Sequence, residues 1–258
     1  MNTLDVNDLL LESDPPGSVA ATMNMVGASE GRYTVTLSGI SGDGSIQLRV
    51  PAGFAVDKFG AQSLEAVSAS RTVDNTPPQI VFDPPLLPES LGGPIVFQFS
   101  VEGAKTVPTP RVRLRTTGDV AGKVALVKLN SPAGTYHYQA TISDYLGKGT
   151  VSIEVPGTGI LDDVNNQAHN RISMEVEVGV YRVTVSASGQ GTVMPEPSSF
   201  LYPADTILQL QAVPLESGEF WRWSIGGVDS FSTATEIVVI KNLKAHAFFS
   251  GSVFMWPT

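Results

Sequence analysis

From Tyr33 the chain alternates. Tyr33, Val35 and Leu37 are apolar while Thr34, Thr36 and Ser38 are polar, and after the break SGDG the apolar set resumes at Ile46, Leu48 and Val50 around Gln47 and Arg49. A period of two with one apolar face predicts β-strands, and the glycine-rich break between the runs predicts a hairpin turn. Pro51 has no N–H to give to a ladder and ends the second run. A loop carrying Asp57 and Gly60 follows, then LEAVSASRTV from Leu64 as a last strand, and DNTPP from Asp74 as a stiff closing turn.

The same pattern returns 105 residues later, where YTVTLSGISGDGSIQLRVP from Tyr33 reappears as YQATISDYLGKGTVSIEVP from Tyr138. Tyr33/Tyr138, Gly44/Gly149, Pro51/Pro156, Asp57/Asp162 and Gln62/Gln167 are identical, and Leu37/Ile142, Ile46/Val151 and Leu48/Ile153 keep the apolar positions. An ungapped offset of this length marks a duplicated module. Ahead of the second copy lies PIVFQFSVEG from Pro94, whose Val96, Phe97, Phe99 and Val101 have the character of a core strand, and its counterpart would fall before Met1. The first module is therefore expected to be truncated at its N-terminus. The alternative is that a strand from another segment or molecule fills its open edge, which makes strand-exchange self-association an expectation as well.

After Gly179 the pattern changes without a linker: Tyr181, Val183 and Val185 alternate, GQG makes a turn, and TILQLQAV, FWRW, IVVIKNL and AHAFFS complete a strand-rich unit. The expected fold class is all-β. The expected modules are a partial β-sandwich over residues 1–78, a complete one over 79–179, a small β-rich domain over 180–251, and a tail over 252–258. Composition agrees, with 25 Gly, 18 Pro and only 16% charged residues, a mixture suited to short strands and tight turns. A net charge of −9 argues against nucleic acid as a partner, because phosphates would be repelled. With no cysteine there is no disulfide framework and no sulfur-based zinc site. No apolar run is long enough to insert in a membrane, and the first residues, MNTLDVNDLLLESD, lack the pattern of a secretion signal, which is expected to lie outside this chain.

The first two modules resemble the immunoglobulin-like repeats found in tandem in large bacterial surface and secreted proteins. The likeness rests on the run from Tyr33, the loop Asp57-Lys-Phe-Gly60 and the closing VDNTPP from Val73, although the second copy has DDVNN from Asp162 with no glycine. The segment from Tyr181 to Ser250 resembles the small bacterial repeat related to the B-repeats of internalin-type proteins, through GQGTV, Tyr202-Pro203-Ala204, the LQA strand, Gly218 to Trp223 and Ala247 to Phe249. These resemblances imply a non-enzymatic structural or spacer role, as a stalk or adhesin-like segment of a bacterial cell-surface or secreted multidomain protein, with neighbouring modules as partners. The alternatives are a module binding a glycan or a surface protein, and accessory domains of an extracellular hydrolase.

No catalytic residues are expected. His137, His169 and His246 are scattered, and no nucleophile, zinc, phosphate-loop or dinucleotide motif is present. The GDGS at Asp43 reads as a hairpin turn rather than a calcium loop. The candidate metal ligands, for calcium, are Asp57, Asp74, Asn75, Asp162 and Asp163, with Asn165 and Asn166 beside them. The alternative for these residues is local turn chemistry. Apart from calcium no cofactor is expected. The candidate ligand-binding residues are Trp221 and Trp256 as a sugar platform. Alternation puts Trp221 on the same face as Trp223, with Trp223 expected in the core and Arg222 in solvent.

Overall fold

The computed structural model describes residues 5–27, 32–132 and 134–251. As the alternating pattern requires, the chain is all-β. Among the described residues there is no α-helix, and the one 3-10 turn, Val6–Asp8, is closed by Asp5, whose carboxylate accepts the Asn7 N–H while Asp8 accepts the Asp5 N–H. The chain divides into two units, one of residues up to Pro78 together with Leu161–Gln167, the other of Gln79–Ile160 together with Ala168 onward.

The first unit holds β1 (Leu10–Asp14), β2 (Val19–Gly27), β3 (Tyr33–Gly42), β4 (Gly44–Val50), β5 (Ala66–Val67) and β6 (Arg71–Val73). β4 pairs antiparallel with β1, β5 and β6, while β3 pairs with β2 in a separate sheet. The hairpin expected at SGDG does not form, since β3 and β4 are not partners. The chain bends there from one sheet into the other. The glycines serve close approach rather than reversal: Gly42 (φ +89) passes so near the loop before β2 that a Cβ on it would lie 1.9 Å from the Ser18 carbonyl oxygen. Apolar residues are odd-numbered before the bend and even-numbered after it, a switch that a strand crossing to the opposite sheet shares with a hairpin closed by a two-residue loop, so the pairing and not the pattern distinguishes them.

In the second unit, β7 (Gln79–Phe82), β8 (Ile95–Glu102), β9 (Arg113–Thr116), β10 (Ala121–Lys128), β11 (Tyr136–Val155), β12 (Arg171–Ile172) and the start of β13 (Val176–Ser188) build a β-sandwich. β11 is one strand of 20 residues that covers the ground of β3 and β4 together. Its first part, Tyr136 to Ile142, lies against β8 and β10, and its last part, Gly147 to Val155, pairs with β13, β9 and β12. Two features recur at the sequence offset: β5 and β12, and the isolated bridges Val56–Gln62 and Leu161–Gln167, are each 105 residues apart. Ile95, Phe97, Phe99 and Val101 of β8 meet Tyr138, Ala140 and Ile142 in the core, with the Phe99 ring stacked on Tyr138 at 5.2 Å. Ile95, not Val96 as expected, takes the first inward place, because the alternation of β8 puts Val96 on the other face.

Among the described residues β8 has no counterpart in the first unit, where β3 pairs with β2 alone. The consequence is visible at the repeat tyrosine: Tyr33 is 40% exposed, Tyr138 2%. The buried aliphatic residues described in the first unit are Leu9, Val19 and Ile46.

β13 continues past the sandwich and turns Tyr181, Val183 and Val185 into a second core. That core is completed by β14 (Gly191–Met194), β15 (Ser198–Pro203), β16 (Ile207–Pro214), β17 (Phe220–Ile225), β18 (Val228–Ser230), β19 (Ala234–Val238) and β20 (Leu243–Phe249). One sheet runs β18–β17–β20–β13, with β13 and β20 parallel and β15 also on β13. β14, β16 and β19 form the other. Val193, Leu208 and Leu210 from this second sheet pack with Trp223, Ala245, Ala247 and Phe249 from the first.

Candidate ligand-binding face

The residues expected to bind calcium sit in turns. The Asp57 Oδ1 accepts the N–H groups of Phe59 (2.8 Å) and Ala61 (2.9 Å). One repeat later the Asp162 Oδ1 accepts those of Val164 (2.9 Å) and Asn166 (2.8 Å), and its Oδ2 accepts the Asn166 side-chain amide at 2.8 Å. Asn165 adopts the left-handed φ of +71 where Gly60 has +85, which explains how the second copy keeps the loop without a glycine. Burial pushes the Asp162 carboxyl up, but the bonds from Asn166 and Val164 outweigh it and hold the group below its ordinary value.

Asp74 accepts the Thr76 N–H at 3.1 Å, and its carbonyl accepts the Asn166 amide at 2.9 Å. Asn75 donates its N–H to Asp43 and its side-chain amide to the Gly42 carbonyl, both at 2.6 Å, and so ties down the bend between β3 and β4. Asp43 is thereby a brace for the bend rather than a hairpin residue, its carboxyl lowered by the Thr76 hydroxyl and then the Asn75 N–H. Asp163 follows Asp162 in its loop. Among the described residues no three His, Asp or Glu side chains converge to hold a metal ion.

The tryptophans separate. Trp223 is fully buried, whereas Trp221 is 63% exposed, so the two do not share a face. The reason is a β-bulge: the pairing of β17 with β20 slips between Phe220 and Arg222, and Trp221 is the extra residue, turned out of the alternation. Trp256, the other candidate, lies outside the described residues. Arg222, expected in solvent, is partly covered. Its guanidinium lies 4.5 Å from the Phe248 ring centre and 5.3 Å from that of Trp221, and pairs with Asp229 at 2.5 Å.

Around Trp221 the outward side of this sheet is polar and ordered. The parallel register sets Ser186 beside His246 and Thr184 beside Lys244, and the antiparallel register sets Ser224 beside His246. His246 is held from both nitrogens, with Nδ1 2.8 Å from the Ser186 Oγ and Nε2 2.9 Å from the Ser188 Oγ, and its ring meets Phe248 edge-on at 4.4 Å. Next to it is a groove of about 630 Å³ lined by Arg182, Thr184, Ser224, Asn242, Lys244 and His246 among others. In the sequence alone His246 is one of three scattered histidines. The spacing Ser186-x-Ser188 against His246-x-Phe248, alternate residues of two strands, is the signal that the strand pairing turns into a shared face.

Where the sandwich passes into the second core, the Tyr181 hydroxyl donates to Asp119 (2.9 Å to Oδ2), and the Lys148 N–H donates to the Asp119 Oδ1 at 2.6 Å. The Lys148 N–H and then the Tyr181 hydroxyl draw the Asp119 carboxyl below its ordinary value. Burial and then the charge-bearing acceptor Asp119 push the Tyr181 hydroxyl up. Comparison with protein-family models, with curated proteins and with solved structures returned no match.

Proposed function

We propose that this chain is a non-enzymatic structural segment, a spacer or adhesin-like stalk, of a bacterial cell-surface or secreted multidomain protein. The observation that carries the reading is the duplication itself, in which strands, bends and the Asp57 and Asp162 loops recur at one offset of 105 residues. Copying a scaffold while leaving its loops as plain turns is how a chain gains reach rather than chemistry. Antibodies against the chain should label intact cells that make it, or their medium. Labelling that requires permeabilised cells would overturn the reading.

A second reading, a glycan- or protein-binding module, is favoured by one feature of the C-terminal domain, the exposed Trp221 set beside Phe248, Arg222 and His246 on a single sheet face. An exposed indole offers a flat apolar surface on which the C–H face of a sugar can stack.

A further inference from the structure

We propose that the outward face of β13, β20 and β17 binds a short anionic saccharide, a sugar carrying a carboxylate or sulfate group. The inference rests on the ligand-binding reading above and names its ligand class. Although the chain carries a net charge of −9, the groove beside His246 has no Asp or Glu in its lining and has both Arg182 and Lys244. Both are exposed, and among the described residues neither is in an ion pair. The carboxylate of Asp229 on β18 is taken by Arg222 and leaves these two charges unanswered.

Three further features fit the same ligand. The groove, at about 630 Å³, is the size of a small-molecule site. The imidazole of His246 bridges two serine hydroxyls. In its neutral form, taking the Ser186 proton at Nδ1 and giving its own from Nε2 to Ser188, it leaves the Ser188 hydroxyl free to donate outward to a saccharide oxygen, whereas the Ser186 hydroxyl also faces the Ala245 carbonyl at 3.5 Å. Trp221, on the far side of Phe248 and turned out by the bulge, supplies a flat apolar surface for a second sugar ring, since the four residues from Lys244 to Phe248 set it roughly 13 Å along β20 from the ring that carries the anion. A long polyanion is a poorer fit, because the rest of the acidic chain would repel whatever extended beyond the groove.

The test is calorimetric titration of the whole chain with a sulfated disaccharide, a disaccharide ending in a uronic acid, an uncharged disaccharide and inorganic sulfate. The wild type should bind the sulfated or the uronic probe at least about tenfold more tightly than the uncharged one, since two cation-assisted hydrogen bonds are at stake. R182Q/K244Q should remove that preference and W221A should weaken every sugar, with melting temperatures unchanged because all three side chains are exposed. Equal binding of charged and uncharged sugars would overturn the anionic class and leave the glycan reading standing. Inorganic sulfate binding as tightly as the sulfated sugar would overturn the saccharide. No binding of any probe by a folded wild-type chain would overturn the ligand-binding reading and this inference with it.

Discussion

Supplying the first unit with a strand in the place that β8 occupies in the sandwich should stabilise it by a measurable amount. The graft follows from the repeat: residue 110 corresponds to residue 5, so a copy of residues 79–109 placed directly ahead of Asp5 keeps the native spacing. In the sandwich, β8 pairs with β11 so that Phe99 faces Tyr138 and Phe97 faces Ala140. The copied strand would therefore meet Tyr33 and Val35 on β3. Tyr33 would fall from 40% exposure towards the 2% of Tyr138. An aromatic side chain buries about 150–250 Å² in full, so this change removes roughly 75 Å², or about 2 kcal/mol from Tyr33 alone. The copies of Ile95, Phe97, Phe99 and Val101 bring their own burial to set against the entropy of ordering the added strand. Two kcal/mol is about a 30-fold shift in the opening equilibrium, to be read as about 30-fold slower hydrogen exchange of the β3 amides. Every tryptophan lies in the C-terminal part of the chain, so exchange mass spectrometry is the assay that resolves the first unit. The control graft carries serine in place of the copied Phe97 and Phe99. If the authentic graft slows β3 no more than the control, the argument from the repeat is wrong.

Trp223→Ala should cost about 3–5 kcal/mol and unfold the second core first, while Trp221→Ala changes stability by less than about 0.5 kcal/mol; urea melts followed by circular dichroism separate them. Gly147 has φ +118 and a Cβ there would lie 2.5 Å from the Asp119 carbonyl oxygen, so Gly147→Ala should lower the sandwich's stability by about 1–3 kcal/mol, and an unchanged melting temperature would refute the argument from close approach. The Asp119 carboxyl lies below its ordinary value, so its contribution is complete above about pH 4 and is lost as pH falls through the lower folded value. The Tyr181 hydroxyl lies above its ordinary value, so its contribution is complete below about pH 10 and is lost as pH rises through the higher folded value. Asp119→Asn should flatten stability on the acid side, and Tyr181→Phe on the alkaline side. Profiles that match the wild type would show that this hydrogen bond does not couple to folding.

Strand content and the repeat were legible because alternation and a fixed offset are local or self-referential signals, and Tyr33 with Tyr138 carries both. The bend at Gly42 to Gly44 was misread because a glycine-rich break looks the same whether the chain reverses or crosses between sheets. The parity of the apolar positions does not tell the two apart either, since a two-residue turn at Gly42 and Asp43 would set Leu37 opposite Leu48 and Val35 opposite Val50. Trp221 was misplaced for a related reason: a bulge adds one residue to one strand, and nothing in FWRW announces it without the partner strand beside it. The His246 arrangement depends on β13 and β20 lying side by side in parallel although about sixty residues separate them, and pairings of that range are not written in either strand alone.

β13 belongs to two cores at once. Val176 and Val180 close the sandwich, and Tyr181, Val183 and Val185, the next residues of the same extended strand, begin the other core. A tether between domains can swing, because rotating a few free dihedrals breaks nothing. Here the joint is itself hydrogen-bonded, to β11 on one stretch and to β15 and β20 on the next, so any swivel must tear ladder bonds. Under tension, load entering at one core passes to the other through a strand sheared along its length rather than peeled from an end. The pair then behaves as a rigid rod segment with no hinge, and whatever it carries is held at a fixed angle.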